Sequence, residues 1–124
     1  MTSADALRAA ALLPFVPSGK DYEGSRRLFA ELGFEEQWES GGYAGFRNGA
    51  ARFILQQFDN GEFAGNFMLT VVVSDLDAWW RAVSAMDLET KYPGVRIAPP
   101  KDFPWGREVH LIDLAGVCWH IGSE

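Results

Sequence analysis

Two histidines, His110 and His120, one cysteine, Cys118, and a surplus of aromatic and acidic side chains are the groups with which this chain can do chemistry. His120 alternates with Trp119 and Ile121 in a strand-like run, so packing of those two inward leaves the imidazole on the other face, placed to hydrogen-bond a ligand. A half-buried histidine bonded to a neighbouring strand explains it equally well. His110, two residues before Ile112, is the weaker ligand contact, because strand histidines are more often structural. Cys118 lies between Val117 and Trp119 and reads as a small apolar residue; a partner two positions away on one strand is a poor arrangement for a nucleophile. Glu35, Glu36 and Glu39 cluster, yet a solvated face accounts for them. No glycine run carries the Lys-Ser/Thr of a phosphate loop or a dinucleotide fingerprint. Catalytic residues are therefore expected to be none.

Aromatic side chains are the stronger signal. Trp38, Tyr43, Phe46, Phe58, Phe63, Phe103 and Trp105 fall in strands or loops, and five Trp with nine Phe in 124 residues exceed what one small core absorbs. Some of them should line a cleft, with Trp38, Phe103 and Trp105 leading and Asp59 or Glu62 facing a cationic group. Core or dimer packing is the competing account for each ring. For Trp79 and Trp80, at helical spacing with Leu76 and Val83, packing against a sheet or a partner is preferred. The net charge of −6 disfavours nucleic acid, since no basic stripe offsets it. One cysteine makes no internal disulfide, which suits a reducing, bacterial cytoplasm. The apolar patch from Ala9 to Val16 is too short to span a bilayer and holds Pro14, so neither a signal peptide nor a membrane partner is expected.

The elements that position these groups come in a repeated order. Residues 1–8 read as a lead-in. Ala9 to Val16 is the first strand; Asp21 or Ser18 caps a helix carrying Leu28, Phe29 and Leu32, which ends at Gly33. Strands follow at Phe34 to Glu39, Tyr43 to Arg47 and Ala51 to Phe58, the last two joined by the hairpin signal Asn48-Gly49. Asp59-Asn60-Gly61 reads as a boundary. The second half has a strand at Phe67 to Val73, a helix capped by Ser74 and Asp75 and ending at Met86-Asp87, and a strand at Val95 to Ala98. A proline-bearing loop from Pro99 to Gly106 leads into a terminal hairpin of Glu108 to Ile112 and Val117 to Ile121 around Asp113-Leu114-Ala115-Gly116. The pattern predicts an α+β fold of two tandem β-α-β-β-β modules forming a curved mixed sheet, residues 9–60 and 61–124, in one compact domain.

The segments VPSGKDYEGSRRLFAELGF (16–34), VVVSDLDAWWRAV (71–83) and PWGREVHLIDLAG (104–116) resemble the glyoxalase, bleomycin-resistance and extradiol-dioxygenase group, the vicinal oxygen chelate superfamily, over residues 9 to 122. Pro104-Trp105-Gly106-Arg107-Glu108 makes the bleomycin-resistance branch the nearest, although Asp113-Leu114-Ala115-Gly116 departs from the more common Asp-Pro-x-Gly. The superfamily's enzymes draw metal ligands from the first, fourth, fifth and eighth strands. Carried over, those positions are Pro14, Gln56, Met68 and His120, of which only Gln56 and His120 offer a usual donor, so the expectation is no metal and no cofactor. The resemblance implies a homodimer in which aromatic rings in interface grooves hold a planar, cationic ligand without altering it. The expected ligand contacts are Trp38, Tyr43, Phe46, Gln56, Phe103, Trp105, His110 and His120. Two rivals stand beside this reading: a metal-dependent lyase, isomerase or dioxygenase completed by a partner chain, and an interaction module with incidental grooves.

Overall fold

In the computed structural model, which describes residues 3–124, the chain forms two mixed sheets that share one core. The first sheet contains β1 (Phe15–Pro17), β2 (Glu35–Ser40), β3 (Tyr43–Asn48) and β4 (Ala51–Gln56) in the order β1-β4-β3-β2, with β1 parallel to β4 and the other pairs antiparallel. The second contains β5 (Met68–Val73), β6 (Arg96–Ile97), β7 (Lys101–Phe103), β8 (Gly106–Ile112) and β9 (Cys118–Ser123) in the order β5-β9-β8-β6, with β7 also on β8. Here β5 runs parallel to β9, repeating the β1/β4 arrangement. The fold is α+β, and the strand–helix–strand order of the first half recurs in the second.

Local chemistry sets the helix starts. The helix α2 (Tyr22–Glu31) begins where the Asp21 carboxylate accepts from the Gly24 N–H at 2.8 Å, and α4 (Leu76–Ser84) where Asp75 accepts from the Ala78 N–H at 3.0 Å. Ser18 does not cap; its hydroxyl donates to the Gly19 carbonyl, and its own carbonyl accepts from Ser25. Leu28 and Phe29 of α2 are buried, as are Leu76 and Val83 of α4, while Trp79 and Trp80 pack partly buried against the core as their spacing predicts.

Several elements differ from the sequence reading. Residues 1 and 2 of the lead-in lie outside the described residues, and a single helical turn, α1, occupies Ser3–Ala6. The first strand is Phe15–Pro17 rather than Ala9 to Val16, because only those three residues find partners on β4; Pro14 adds just its carbonyl, which accepts from Ile54. Asn60 caps a short helix, α3 (Gly61–Gly65), by accepting from the Phe63 N–H, so that cluster starts an element as well as ending one. A further turn of helix, α5 (Leu88–Lys91), follows Asp87. The stretch from Pro99 to Gly106 is largely not loop. Pro99 and Pro100 interrupt a ladder that resumes as β7, and Pro104-Trp105 is the two-residue tip of a β7–β8 hairpin closed by the Phe103–Gly106 pair.

Strand alternation turns Leu69, Val71 and Val73 of β5, Val109 and Leu111 of β8, and Trp119 and Ile121 of β9 toward the core. The Trp119 indole packs against Phe29 at 5.2 Å and Phe53 at 5.3 Å between ring centroids, joining the second sheet to the first half of the chain. Its orientation is fixed by Asp113. One carboxylate oxygen accepts from the N–H groups of Ala115, Gly116 and Val117 at 2.9 to 3.0 Å, and the other from Trp119 Nε1 at 2.8 Å. Gly116 occupies φ +101° in that turn, a conformation that favours glycine. Replacing Asp113 by Ala orphans four donors; the expected loss is about 2–4 kcal/mol of stability. Urea unfolding measures it, and an unchanged midpoint would show that the turn holds without the carboxylate.

Candidate functional site

The outward face of the second sheet carries the polar groups. Glu108 and His110 alternate on β8, and the antiparallel register sets His120 of β9 directly opposite His110. Packing of Trp119 and Ile121 inward leaves His120 on this face, as its alternation predicts. Glu108 Oε1 lies 3.0 Å from His110 Nε2 and 3.0 Å from His120 Nδ1. Glu108 is buried and the imidazoles are partly buried.

The β7–β8 hairpin places a column of rings against this pair. Trp105 stacks on Phe103 with centroids 5.2 Å apart and planes 14° apart, Phe103 stacks on His110 at 4.5 Å and 19°, and His110 meets His120 at 4.1 Å and 57°. Trp105 at the outer end is 65% exposed. Lys101 Nζ stands 5.7 Å from the Phe103 ring centroid, so the column already has a cation beside one ring. Burial pushes the Glu108 carboxyl up, but hydrogen bonds from Trp105, His120 and His110, with the charge of His120, outweigh it and hold the group down at about 2.

Four of the expected contacts, Phe103, Trp105, His110 and His120, thus come together on one face. The others do not join them. Trp38 and Tyr43 are exposed on the first sheet, where Tyr43 meets Phe15 edge-on at 6.1 Å and Gln56 lies opposite Tyr43 and Pro17. The Trp38 indole fills the space over Gly45, where an added Cβ would collide with Nε1. Phe46 is corrected from cleft to core: it is buried and stacked on Phe53 at 5.3 Å. Asp59 and Glu62 also stand elsewhere, Asp59 in a groove with Lys20, Arg27 and Lys91, and Glu62 beside Phe63 and Asn66. The carboxylate at the rings is Glu108, which the sequence reading passed over. Its signal was present in Glu108-Val109-His110, an i, i+2 pair that a strand places on one face.

Other candidates resolve as structural. Glu36 pairs with Arg26, and Glu39 accepts from the Tyr22 hydroxyl, which explains two of the three clustered carboxylates. Burial, then the charges of Glu108 and Asp113, push the Cys118 thiol up, away from the thiolate a nucleophile needs. Of the positions Pro14, Gln56, Met68 and His120, Pro14 has no side-chain donor atom and Met68 is an exposed thioether.

No family model matches the chain, and no curated protein does. Among solved structures it is similar to the bleomycin-binding protein of bleomycin-producing Streptomyces verticillus complexed with copper(II)-bleomycin, at 22% identity and TM-score 0.76, covering 95% of this chain and 98% of that one. The bleomycin resistance determinant encoded on transposon Tn5 superposes with TM-score 0.77 at 20% identity over 91% and 96% of the two chains. A fosfomycin resistance protein of Listeria monocytogenes, complexed with manganese(II) and sulfate, gives 0.70 at 13% identity over 94% and 91%. The chain therefore has the vicinal oxygen chelate fold, and its similar structures include those of bleomycin-binding proteins.

Because the Glu108 carboxyl is held below its ordinary value of 4.5 in the folded state, the unfolded chain binds that proton more tightly. Its contribution is present above pH 4.5 and is lost as pH falls toward about 2. Glu108→Gln should therefore lose less stability across that window than the parent chain does. Urea midpoints at several acidic pH values test this; equal losses in both proteins would contradict it.

Proposed function

We propose that this chain binds a planar, cationic small molecule on the outward face of its second sheet and holds it without altering it. The observation that carries the reading is the column Trp105–Phe103–His110–His120 beside an ionised, buried Glu108. An exposed indole at the end of a stacked column offers a π-face to a flat ligand, and a nearby carboxylate favours a cationic one. Neither interaction requires a bound ion. The names of the similar structures, which describe bleomycin binding and bleomycin resistance, support sequestration as the purpose of such binding.

A second copy of the chain is part of this reading. Leu12 is 90% exposed, Met68 63%, Val72 57% and Phe15 52%, and Met68 and Val72 share the outward face with His120. Apolar side chains left exposed in this number favour association, and pairing across them would enclose the ring column in a groove. Equilibrium sedimentation should show a dimer at micromolar concentration; a monomer there would overturn the pairing.

Tryptophan fluorescence of metal-stripped protein, titrated with bleomycin, tests the binding itself. Saturable quenching with micromolar or tighter affinity at about one ligand per chain is expected, with about tenfold weaker binding for Trp105→Ala. Unchanged fluorescence would remove bleomycin as the ligand, and quenching that survives in the variant would move the site away from the column.

A further inference from the structure

Glu108, His110 and His120 each offer one donor atom, and the three atoms lie within 4.8 Å of one another. Their arrangement follows from the sheet. Alternation puts Glu108 and His110 on one face of β8, and the β8–β9 register brings His120 across from His110. With metal–ligand bonds of about 2.1 Å, two donors at a right angle about the ion are about 3.0 Å apart. Both edges from Glu108 Oε1 to the imidazole nitrogens have that length, which is also the length of the hydrogen bonds they make without an ion.

The hydrogen bonding of the cluster is also incomplete. One carboxylate oxygen serves both rings, through His110 Nε2 and His120 Nδ1; the other nitrogen of His120, Nε2, is buried with no partner among the described residues and lies outside this donor set. An ion at this point would give three converging donors a common acceptor.

We propose that Glu108, His110 and His120 form a binding site for one divalent transition-metal ion. Two imidazoles and one carboxylate suit zinc, cobalt, nickel or ferrous iron, whereas calcium and magnesium favour all-oxygen shells. The site differs from the one implied by the superfamily's metal enzymes: it shares His120, but takes its other donors from β8 instead of Pro14, Gln56 and Met68. The protein supplies three donors, leaving coordination positions for water or a small ligand beside partly exposed His110. This inference stands on the donor geometry and uses the same Glu108 carboxylate and imidazoles as the proposed function, so the two are tested separately, the ligand without metal and the metal without ligand.

The untagged chain, stripped with chelator, is titrated with zinc by calorimetry and with cobalt(II) by visible absorption, with no organic ligand present. Saturation at one ion per chain is expected, with cobalt bands characteristic of an asymmetric nitrogen and oxygen shell. His110→Ala and His120→Ala should each weaken binding about 100-fold or more. Circular dichroism establishes which variants fold, and partly exposed His110 decides the matter if the His120 variant does not. Absence of saturable binding by the parent chain, or undiminished binding by folded His110→Ala, would overturn the site. Failure of this titration leaves the bleomycin experiment unaffected, and failure of that experiment leaves the metal site unaffected.

Discussion

The Asp113 carboxylate is the constraint on which the second half of the molecule depends. A buried carboxylate costs free energy unless its lone pairs are met, and here three backbone N–H groups and the Trp119 indole N–H meet them. Burial still pushes its carboxyl up, opposed by those same hydrogen bonds. The arrangement joins two levels of structure. It closes the turn between β8 and β9, and it orients the indole that packs against Phe29 and Phe53. With the turn held, the strand register follows, and that register sets His120 opposite His110. A slip of one residue would exchange the faces of β9, exposing Trp119 and turning His120 toward the core.

Glu108 and Asp113 illustrate opposite outcomes of the same competition. Both carboxylates are buried, so both carry a desolvation penalty. At Asp113, enclosed in the turn, desolvation prevails over the hydrogen bonds. At Glu108, near the partly exposed face, bonds from Trp105 and the two imidazoles prevail. The consequence is a persistent negative charge beside a column of rings. An outward sheet face carrying a charged group, stacked aromatics and exposed apolar side chains differs from an ordinary solvated face, and that difference underlies both the ligand-binding and the metal-binding proposals.

The β7–β8 hairpin determines how that face is presented. Pro99 and Pro100 end one short pairing on β8, and the chain returns as β7 farther along the same strand. The tight Pro104-Trp105 tip then projects an indole that folds back onto Phe103. The two hairpins of the first sheet turn on Gly41-Gly42 and Gly49-Ala50, so neither tip carries a ring, and Trp38 and Tyr43 remain apart from the ring column although composition alone groups all the aromatics together.

Much of the fold was legible in the chain itself. Asp21 and Asp75 announced their helices, Asn48-Gly49 its hairpin, and the alternation of Trp119, His120 and Ile121 the face on which the imidazole would lie, because caps, turns and strand alternation are properties of neighbouring residues. Short elements were less legible: α3 and β7 look like turn and loop, since Gly61 and Pro99-Pro100 are breakers whose context decides whether they end or begin an element. Phe46 and Trp105 could not be sorted into core and surface by residue type, as either ring suits either place. The meeting of Glu108, His110 and His120 was likewise beyond local pattern. Sequence determined the two longer helices, the hairpins and the alternating faces; only tertiary structure decided how strands distant along the chain paired and in what register, because that pairing depends on hydrogen bonds and packing between residues far apart in sequence.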